Sequence, residues 1–312
     1  MFLKCRYKIK NILAIRSDRL GEFLLTIPAL QFLKDTYKDA KLFLAVNQDI
    51  KEIAELVECV DNVLVWDKIK NNLRKFRFDL CVIFNRTKEA HITSFLASIP
   101  IRVGDNRKWG FLLTHKIEDT KYLSNRHEII CNLELVKLLN PNYEIPLKRD
   151  YIFKLRIPYN EKYKFLEKAI AIHPFTSDSR KDWGFNKFLE LGERIVNELK
   201  VKVVFVGRTD NDLKELENKK IFINLVNKTT LVDLACVLKF SRLLITPDSG
   251  PMHLASIIGT PVIALFRNDL IGKTAKRWGP FGKENIVIEK DDLNNIKVDE
   301  VFEKIKEKIN AD

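Results

Sequence analysis

The sequence predicts an α/β protein made of two domains with parallel sheets. Its 312 residues are long for one core and suit two domains of about 150 residues each. In both halves, short apolar and β-branched runs alternate with segments of helical period. Such alternation is typical of parallel sheets covered by helices on both faces. The pattern weakens near 141–160, where prolines and charges concentrate, so we place the domains at 1–155 and 156–312, facing each other across a cleft.

Five segments of the first half read as strands, because each is a short apolar run: 11–16, 41–46, 62–67, 78–84 and 101–105. YIFKL (151–155) is a further candidate, and 106–116 reads as a variable loop. Apolar residues at helical spacing follow the first predicted strand. Because proline is tolerated only in the first turn of a helix, Pro28 predicts a kinked helix start after Gly21.

The second half repeats the alternation. Its predicted strands are 169–174, 201–207, 221–226, 242–248 and 261–266. Its predicted helices are 181–199, 210–219, 229–240 and 249–258. The last helix of the chain could pack back on the first domain.

Composition limits the classes of function. The five cysteines are scattered without a CxxC pair, which indicates free or buried thiols in a reducing compartment rather than a disulfide framework or a zinc site. There is no signal-peptide pattern, and the longest apolar run is shorter than the ~20 residues of a membrane span, so we expect a cytoplasmic protein.

The net charge is +12, of which residues 1–155 carry +8. Either this is a lysine-rich solvated surface, or it attracts an anionic partner such as acidic lipid headgroups, a phosphorylated glycan or nucleic acid. No nucleic-acid-binding motif is present, so we expect no nucleic-acid partner.

Ligands of open parallel sheets bind at the carboxyl ends of the strands, and three loops there carry unusual residues. In ITPDSGPMHLAS, Asp248, Ser249 and Gly250 lead into a helix that bears His253. Backbone N–H groups at such a helix start bind anions, although a plain Asp or Ser N-cap also explains the turn.

The second loop, AIHPFTSDSRKDWGF, offers hydroxyls and cations that suit a pyrophosphate: Thr176, Ser177, Arg180 and Lys181. The third, RSDRLGEF, holds Asp18, Gly21 and Glu22. Glu22 is either an acid that stabilises a helix start or a group aimed at a substrate. A dinucleotide fingerprint, a P-loop, a DxD motif and metal-ligand spacing are all absent, so we expect no metal and no cofactor.

The order of these motifs resembles glycosyltransferase family 9, the ADP-heptose:lipopolysaccharide heptosyltransferases. The resemblance covers most of the chain, from ILAIRSDRLGEFLLTIPALQFLK through AIHPFTSDSRKDW to DSGPMHLASIIGTPVIALF and RWGPFG. It implies a GT-B fold of two Rossmann-like domains. The first would bind an anionic acceptor of the Kdo or lipid A type at the inner face of the cytoplasmic membrane. The second would bind the nucleotide sugar, ADP-heptose.

The resemblance also implies roles for residues. Glu22 falls at the general base, with Asp18 as the alternative, and Gly21 precedes it in the motif. Lys181 falls in the K-x-W motif that meets the donor phosphates, and Thr229 falls where the family contacts the nucleotide. Asp248, Ser249, Gly250 and His253 match the second donor loop. This chain departs from the family in having Glu22 instead of an aspartate, and Arg267-Asn268 after the last apolar strand. The alternatives are a transferase for another nucleotide sugar and a non-catalytic nucleotide- or glycan-binding relative.

Overall fold

Each half of the chain builds its own parallel six-stranded sheet in the computed structural model, which describes residues 8–123 and 126–310. Of these residues, 8–122 and 128–156 form one unit, and 123, 126–127 and 157–310 form the second. Residues 123 and 126–127 therefore group with the second unit, although they precede the last helices of the first.

The first unit holds strands β1–β6: Asn11–Ile15, Lys41–Val46, Asn62–Val65, Leu80–Ile83, Ile101–Asn106 and His115–Glu118. Its helices α1–α7 are Leu20–Leu24, Ile27–Thr36, Lys51–Ala54, Trp66–Ile69, Lys88–Leu96, Glu128–Lys137 and Arg149–Ile152. Four 3₁₀ segments lie between them in the described part of the chain: Gln48–Ile50, Lys70–Phe76, Gly110–Leu112 and Lys121–Leu123. The central strands β1 and β4 are almost wholly buried, because both of their faces are covered by helices.

The predicted kink near Pro28 is confirmed. Helix α1 ends at Leu24, and α2 starts at Ile27 with Pro28 in its first turn, where the missing N–H costs no hydrogen bond. Helix α6 stabilises this break, because the side chain of its residue Asn132 donates a hydrogen bond to the Leu25 carbonyl at 3.1 Å. The residues around the break are therefore fixed by buried contacts.

The second unit holds strands β7–β12: Ile170–Ile172, Val203–Phe205, Ile223–Asn224, Leu243–Pro247, Val262–Arg267 and Ile286–Lys290. Its helices α8–α13 are Phe185–Arg194, Lys214–Asn218, Leu231–Phe240, Gly250–Ile258, Ala275–Trp278 and Val298–Asn310. A π-helical turn, Ile195–Leu199, extends α8, and 3₁₀ turns lie at Glu161–Leu166, Ser179–Lys181 and Leu293–Asn295. Helix α13 contributes Val301, Phe302 and Ile305 to the core of this unit.

The structure corrects some sequence-based expectations. YIFKL is not a strand: α7 occupies Arg149–Ile152, and only Leu155 forms an isolated bridge, with Val57. The segment 106–116, expected to be a loop, contains a 3₁₀ turn and the start of β6. The strands β6 and β12 were missed because both are partly exposed edge strands with few buried side chains.

Both sheets have the same strand order. The first runs β3-β2-β1-β4-β5-β6 and the second β12-β11-β10-β7-β8-β9, which is the doubly wound Rossmann order read from either end. The α/β class of the prediction and its two parallel sheets are thereby confirmed. In this topology a crevice opens where the strand order reverses, outside the carboxyl ends of the two central strands. Those strands are β1 and β4 in the first unit, and β7 and β10 in the second.

The four cysteines of the described residues lie in the protein interior. Cys59, Cys81, Cys131 and Cys236 are buried free thiols, as expected, whereas Cys5 lies outside the described residues. Across 8–123 and 126–310, none of the helices is long and apolar enough to span a bilayer. The same residues contain no group of three or more His, Cys, Asp or Glu side chains arranged for a metal ion.

Candidate functional site

The loop after β1 is tied to the ends of the neighbouring strands. Arg16 is buried, and its Nη1 donates to the Phe84 carbonyl at the end of β4 at 2.8 Å. Its Nε lies 3.2 Å from Asp18 Oδ1. The Asp18 carbonyl in turn accepts from the Asn47 side chain, just past β2, at 3.1 Å. The predicted acidic loop therefore lies at the reversal point of the first sheet.

Glu22 lies in the first turn of α1 and is half-buried. Among the described residues, no hydrogen bond or ion pair holds its carboxylate. Its backbone is fixed instead, because the Thr26 hydroxyl donates to the Glu22 carbonyl at 2.8 Å. An acid on a rigid backbone with an unpaired carboxylate suits a general base.

Asp18 is the second acid of this crevice. Burial raises the pKa of its carboxyl to about 6, against the opposing charge of Arg16. The negative charges of Glu22 and Glu128 raise it further. Asp18 therefore keeps its proton to a higher pH than an ordinary aspartate, and its ionisation depends on Glu22.

A buried ionic network extends from this loop, and the sequence did not reveal it. Glu128, at the start of α6, lies 3.0 Å from Lys121 Nζ and 3.9 Å from Arg16 Nη2. Asp105, in β5, lies 3.7 Å from Lys121 and 2.9 Å from Arg86, which follows β4. In the sequence, these residues stand out only as charged side chains at the ends of apolar runs. Most of the ion-pair partners are far apart along the chain, so sequence spacing does not show which residues pair.

In the second unit, the loop after β7 contains an ionic cluster centred on Asp178. Its carboxylate lies 2.8 Å from Arg180 Nη2 and 2.7 Å from Lys273 Nζ. These two cations, Arg180 first, hold the pKa of Asp178 well below its usual range. Thr176 accepts from the Asp178 backbone at 3.2 Å, while Ser177 is exposed. One carboxylate therefore holds two cations, and Lys273 is a cation of this loop cluster that the sequence did not identify.

The side chain of Lys181, at the end of this loop, contacts the second predicted donor loop. Its Nζ forms an ion pair with Asp248, and the two side chains are 16% and 9% exposed. The backbone here is anchored by Trp183, which is fully buried and donates from Nε1 to the Ile296 carbonyl at 2.9 Å. The structure therefore brings Lys181 and Asp248 together at the reversal point of the second sheet.

The start of α11 is not capped by a side chain. Ser249 occupies the N-cap position, but its hydroxyl makes no capping hydrogen bond. Instead it lies 2.9 Å from Thr246 Oγ1 and 3.3 Å from His173 Nδ1. Gly250 begins the helix without a Cβ. An uncapped helix start of this kind can bind an anion, so the alternative of a plain serine N-cap does not describe this turn.

Two buried histidines lie in the second unit. Burial lowers the pKa of His173 to about 4. Burial also lowers the pKa of His253 to about 3, and the charges of His127 and Lys181 act in the same direction. His253 is therefore neutral near pH 7, and within the described part of the chain its buried Nδ1 has no hydrogen-bond partner. Near neutral pH it could meet a departing phosphate only through a hydrogen bond, not as a cation.

The remaining residues of this edge follow β8 and β9. Gly207 has a φ of +122°, and a Cβ there would lie 2.6 Å from Cδ2 of His173, so the close approach of the two strands requires glycine. Thr229 is half-buried and precedes Thr230, which caps α10 through a reciprocal bond with Asp233. All the predicted donor residues therefore lie at the carboxyl edge of one sheet.

Comparisons with known proteins identify relatives of this chain. The lipopolysaccharide core heptosyltransferase OpsX of Haemophilus influenzae is 22% identical over 82% of this chain and 79% of its own length. The lipooligosaccharide heptosyltransferase 2 of Campylobacter jejuni is 24% identical over 79% and 77%. The solved structure of the E. coli ADP-heptose lps heptosyltransferase II superposes with a TM-score of 0.81 at 17% identity, covering 96% of this chain and 99% of that one.

The similarity to the solved structure concerns the fold, and it supports the GT-B fold predicted from the sequence. The family model for glycosyltransferase family 9 (heptosyltransferase) matches residues 66–306, well over half of the chain. That span includes β4 to β12 and both predicted donor loops of the second unit. The chain is a glycosyltransferase and belongs to glycosyltransferase family 9 (heptosyltransferase).

Proposed function

We propose that this enzyme transfers heptose from ADP-heptose to the inner core of a lipopolysaccharide or lipooligosaccharide, with inversion at the anomeric carbon. One observation carries the proposal: the two crevices have complementary chemistry. The first presents the unpaired carboxylate of Glu22. The second presents Lys181 beside the uncapped start of α11. The two relatives are named as heptosyltransferases of lipopolysaccharide and lipooligosaccharide, which supports heptose as the sugar and this class of acceptor. The solved structure is of an ADP-heptose enzyme, which supports ADP as the nucleotide.

The proposed step is a direct displacement. An acceptor hydroxyl oxygen forms a bond to C1 of the heptose while the bond from C1 to the phosphate oxygen breaks. Glu22 takes the hydroxyl proton, and ADP leaves with the electron pair. A positioned general base of this kind contributes about 10²–10⁴ in rate. Asp18 is the alternative base, but its carboxyl is engaged by Arg16.

The departing diphosphate is stabilised by positive groups of the second unit. Lys181 supplies a positive charge that the diphosphate would share with Asp248, and the backbone N–H groups at the start of α11 supply oriented dipoles. With these groups we propose that transfer requires no metal ion. We further propose that the enzyme works at the inner face of the cytoplasmic membrane, where a Kdo–lipid A acceptor would meet the excess positive charge of residues 1–155.

A titration of the purified enzyme with ADP, UDP and GDP tests the donor class. We expect ADP to bind at least about tenfold more tightly than UDP, which corresponds to about 1.4 kcal/mol. Tighter binding of UDP would assign a different nucleotide sugar. Turnover is then measured with ADP-heptose and a Kdo–lipid A acceptor, with and without a chelator. Loss of turnover in the chelator would contradict a metal-independent transfer.

A further inference from the structure

The first unit exposes apolar side chains on α5 and on the 3₁₀ turn after β5. Phe95, Leu96 and Phe111 are 48%, 66% and 71% exposed. The ring centroid of Trp109 lies 6.0 Å from that of Phe111. Because α5 contacts the turn at Gly110–Leu112, these side chains belong to one surface. Exposed apolar side chains that cluster together beside polar residues are a feature of interaction surfaces, whereas single exposed ones are ordinary.

Three cations lie within or beside this cluster. Lys88 Nζ is 5.1 Å from the ring centroid of Trp109, and the Arg102 guanidinium carbon is 5.4 Å from that of Phe95. Lys108 is exposed next to Trp109. Among the described residues, none of the three forms an ion pair with a carboxylate. Arg102 instead donates from Nε to the Leu112 carbonyl at 2.8 Å, which joins the end of α5 to the 3₁₀ turn.

The acids of the same segments are engaged elsewhere. Glu89, in α5, lies 3.0 Å from Lys70 and accepts from Trp66 Nε1 at 2.9 Å. Asp119, just past β6, lies 2.7 Å from both Arg86 and Arg107. The cluster therefore has an uncompensated positive charge. We call it the aromatic–basic face, and it consists of Lys88, Phe95, Leu96, Arg102, Lys108, Trp109 and Phe111.

We propose that the aromatic–basic face docks the first unit on an anionic lipid bilayer. Aromatic and apolar side chains partition into the headgroup and upper acyl region, while lysine and arginine extend to lipid phosphates. A protein partner would require carboxylates placed against three cations, whereas the inner leaflet supplies negative charge everywhere. The inference deepens the proposed function, since it names the surface by which the enzyme would reach a membrane-borne acceptor.

Co-sedimentation with vesicles tests the docking without donor or acceptor. We expect the full-length protein to bind phosphatidylethanolamine–phosphatidylglycerol vesicles, to bind phosphatidylcholine vesicles weakly, and to be released by salt. Replacing both Leu96 and Phe111 by serine removes the two most exposed apolar side chains of the face and should weaken binding by about tenfold or more. Lys108→Gln removes one charge and should weaken it by about fivefold. Ile271→Ser is the matched control, because Ile271 is 92% exposed but lies in the second unit.

Unchanged vesicle binding by the double serine variant, with native melting temperature, would overturn the proposal. So would a change of oligomeric state in that variant without any vesicle binding by the wild type, because the face would then be a protein interface. Transfer to a deacylated, water-soluble acceptor separates this inference from the proposed function. Retained transfer in the double variant supports docking as a distinct role. If the wild type transfers no heptose but binds vesicles through this face, docking stands and the proposed function fails.

Discussion

Lys181 and Asp248 form an ion pair that joins the loops after β7 and β10. The pair lies where the strand order of the second sheet reverses, beside the uncapped start of α11. Asp248 therefore neutralises the cation that we assign to the donor diphosphate. A diphosphate bound there would have to compete with Asp248 for Lys181, so the carboxylate sets how much of the charge of Lys181 is available.

Substitutions at this pair should change ADP binding in opposite directions. Lys181→Gln removes a charge-assisted contact and should weaken ADP binding by about tenfold, or about 1.4 kcal/mol. Asp248→Asn releases Lys181 and should strengthen binding severalfold. Isothermal titration calorimetry measures both. Arg180→Gln is the comparison, because the Arg180 side chain is 55% exposed whereas that of Lys181 is 16% exposed, and it should change the affinity by less. Weaker binding in Asp248→Asn would mean that Asp248 contacts the donor itself.

Glu22 should affect both the rate and the titration of Asp18. Glu22→Gln should lower kcat by about 10²–10⁴ with little change in ADP affinity, as expected for loss of a general base. Because the charge of Glu22 helps to raise the pKa of Asp18, the same variant should lower that pKa from about 6. Carbon-13 NMR of the aspartate carboxyls reports this shift.

Asp18→Asn provides the control for that experiment. It keeps the shape of the side chain but removes its titration. If it abolishes turnover while Glu22→Gln does not, Asp18 is the base.

The buried histidines should make the second unit sensitive to acid. The folded-state pKa values of His173 and His253 are lowered to about 4 and about 3, while those in the unfolded chain are near the ordinary value. The unfolded state therefore binds more protons below about pH 6.5, and stability falls as the pH drops toward 4. At pH 5 each histidine should cost about 2 kcal/mol of unfolding free energy relative to pH 7.5.

Urea unfolding at pH 7.5 and pH 5 measures this loss in the wild type and in His253→Gln. The difference between the two pH values should be smaller in the variant by about 2 kcal/mol, because glutamine does not titrate. Groups common to both proteins cancel in this comparison. An equal loss in both proteins would show that His253 is not held neutral in the folded state.

Gly207 and Gly259 provide a matched pair of glycine substitutions. Both have positive φ, +122° and +93°, but a Cβ at Gly207 would meet His173 and Phe175 below 3.0 Å, while one at Gly259 meets nothing within 4 Å. Gly259→Ala should cost about 1 kcal/mol from backbone strain alone. Gly207→Ala adds overlap with buried rings and should cost about 3 kcal/mol or more. Thermal unfolding measures the loss of stability in each variant. Equal losses would show that the aromatic rings near Gly207 move aside at little cost.

Much of the fold could be predicted because buried parallel strands are short apolar runs. The run 41–46 coincides with β2, and the loops after β1, β7 and β10 were identified from their Gly, Ser and charged residues. The edge strand β6, with sequence HKIE, was missed, because its side chains are only partly buried and its hydropathy does not stand out. Strand recognition thus succeeded where burial is nearly complete.

The site was only partly predictable, for a different physical reason. Contacts such as Asn132 to Leu25, or Lys273 to Asp178, join residues far apart in the chain and have no characteristic spacing. The neutral state of His253 depends on burial by neighbours, which a local motif does not reveal. The sequence could name the residue types at each loop, but not which charges are already paired.

The repeated strand order has a consequence for how this enzyme could diversify. Because each crevice is generated by the topology of its own sheet, the two sets of loops are encoded by separate stretches of the chain. Substitutions in the loops after β4 and β5 would alter the proposed acceptor crevice without touching Lys181 or α11. The same scaffold could in this way yield a series of paralogues that share one sugar donor and extend a glycan step by step.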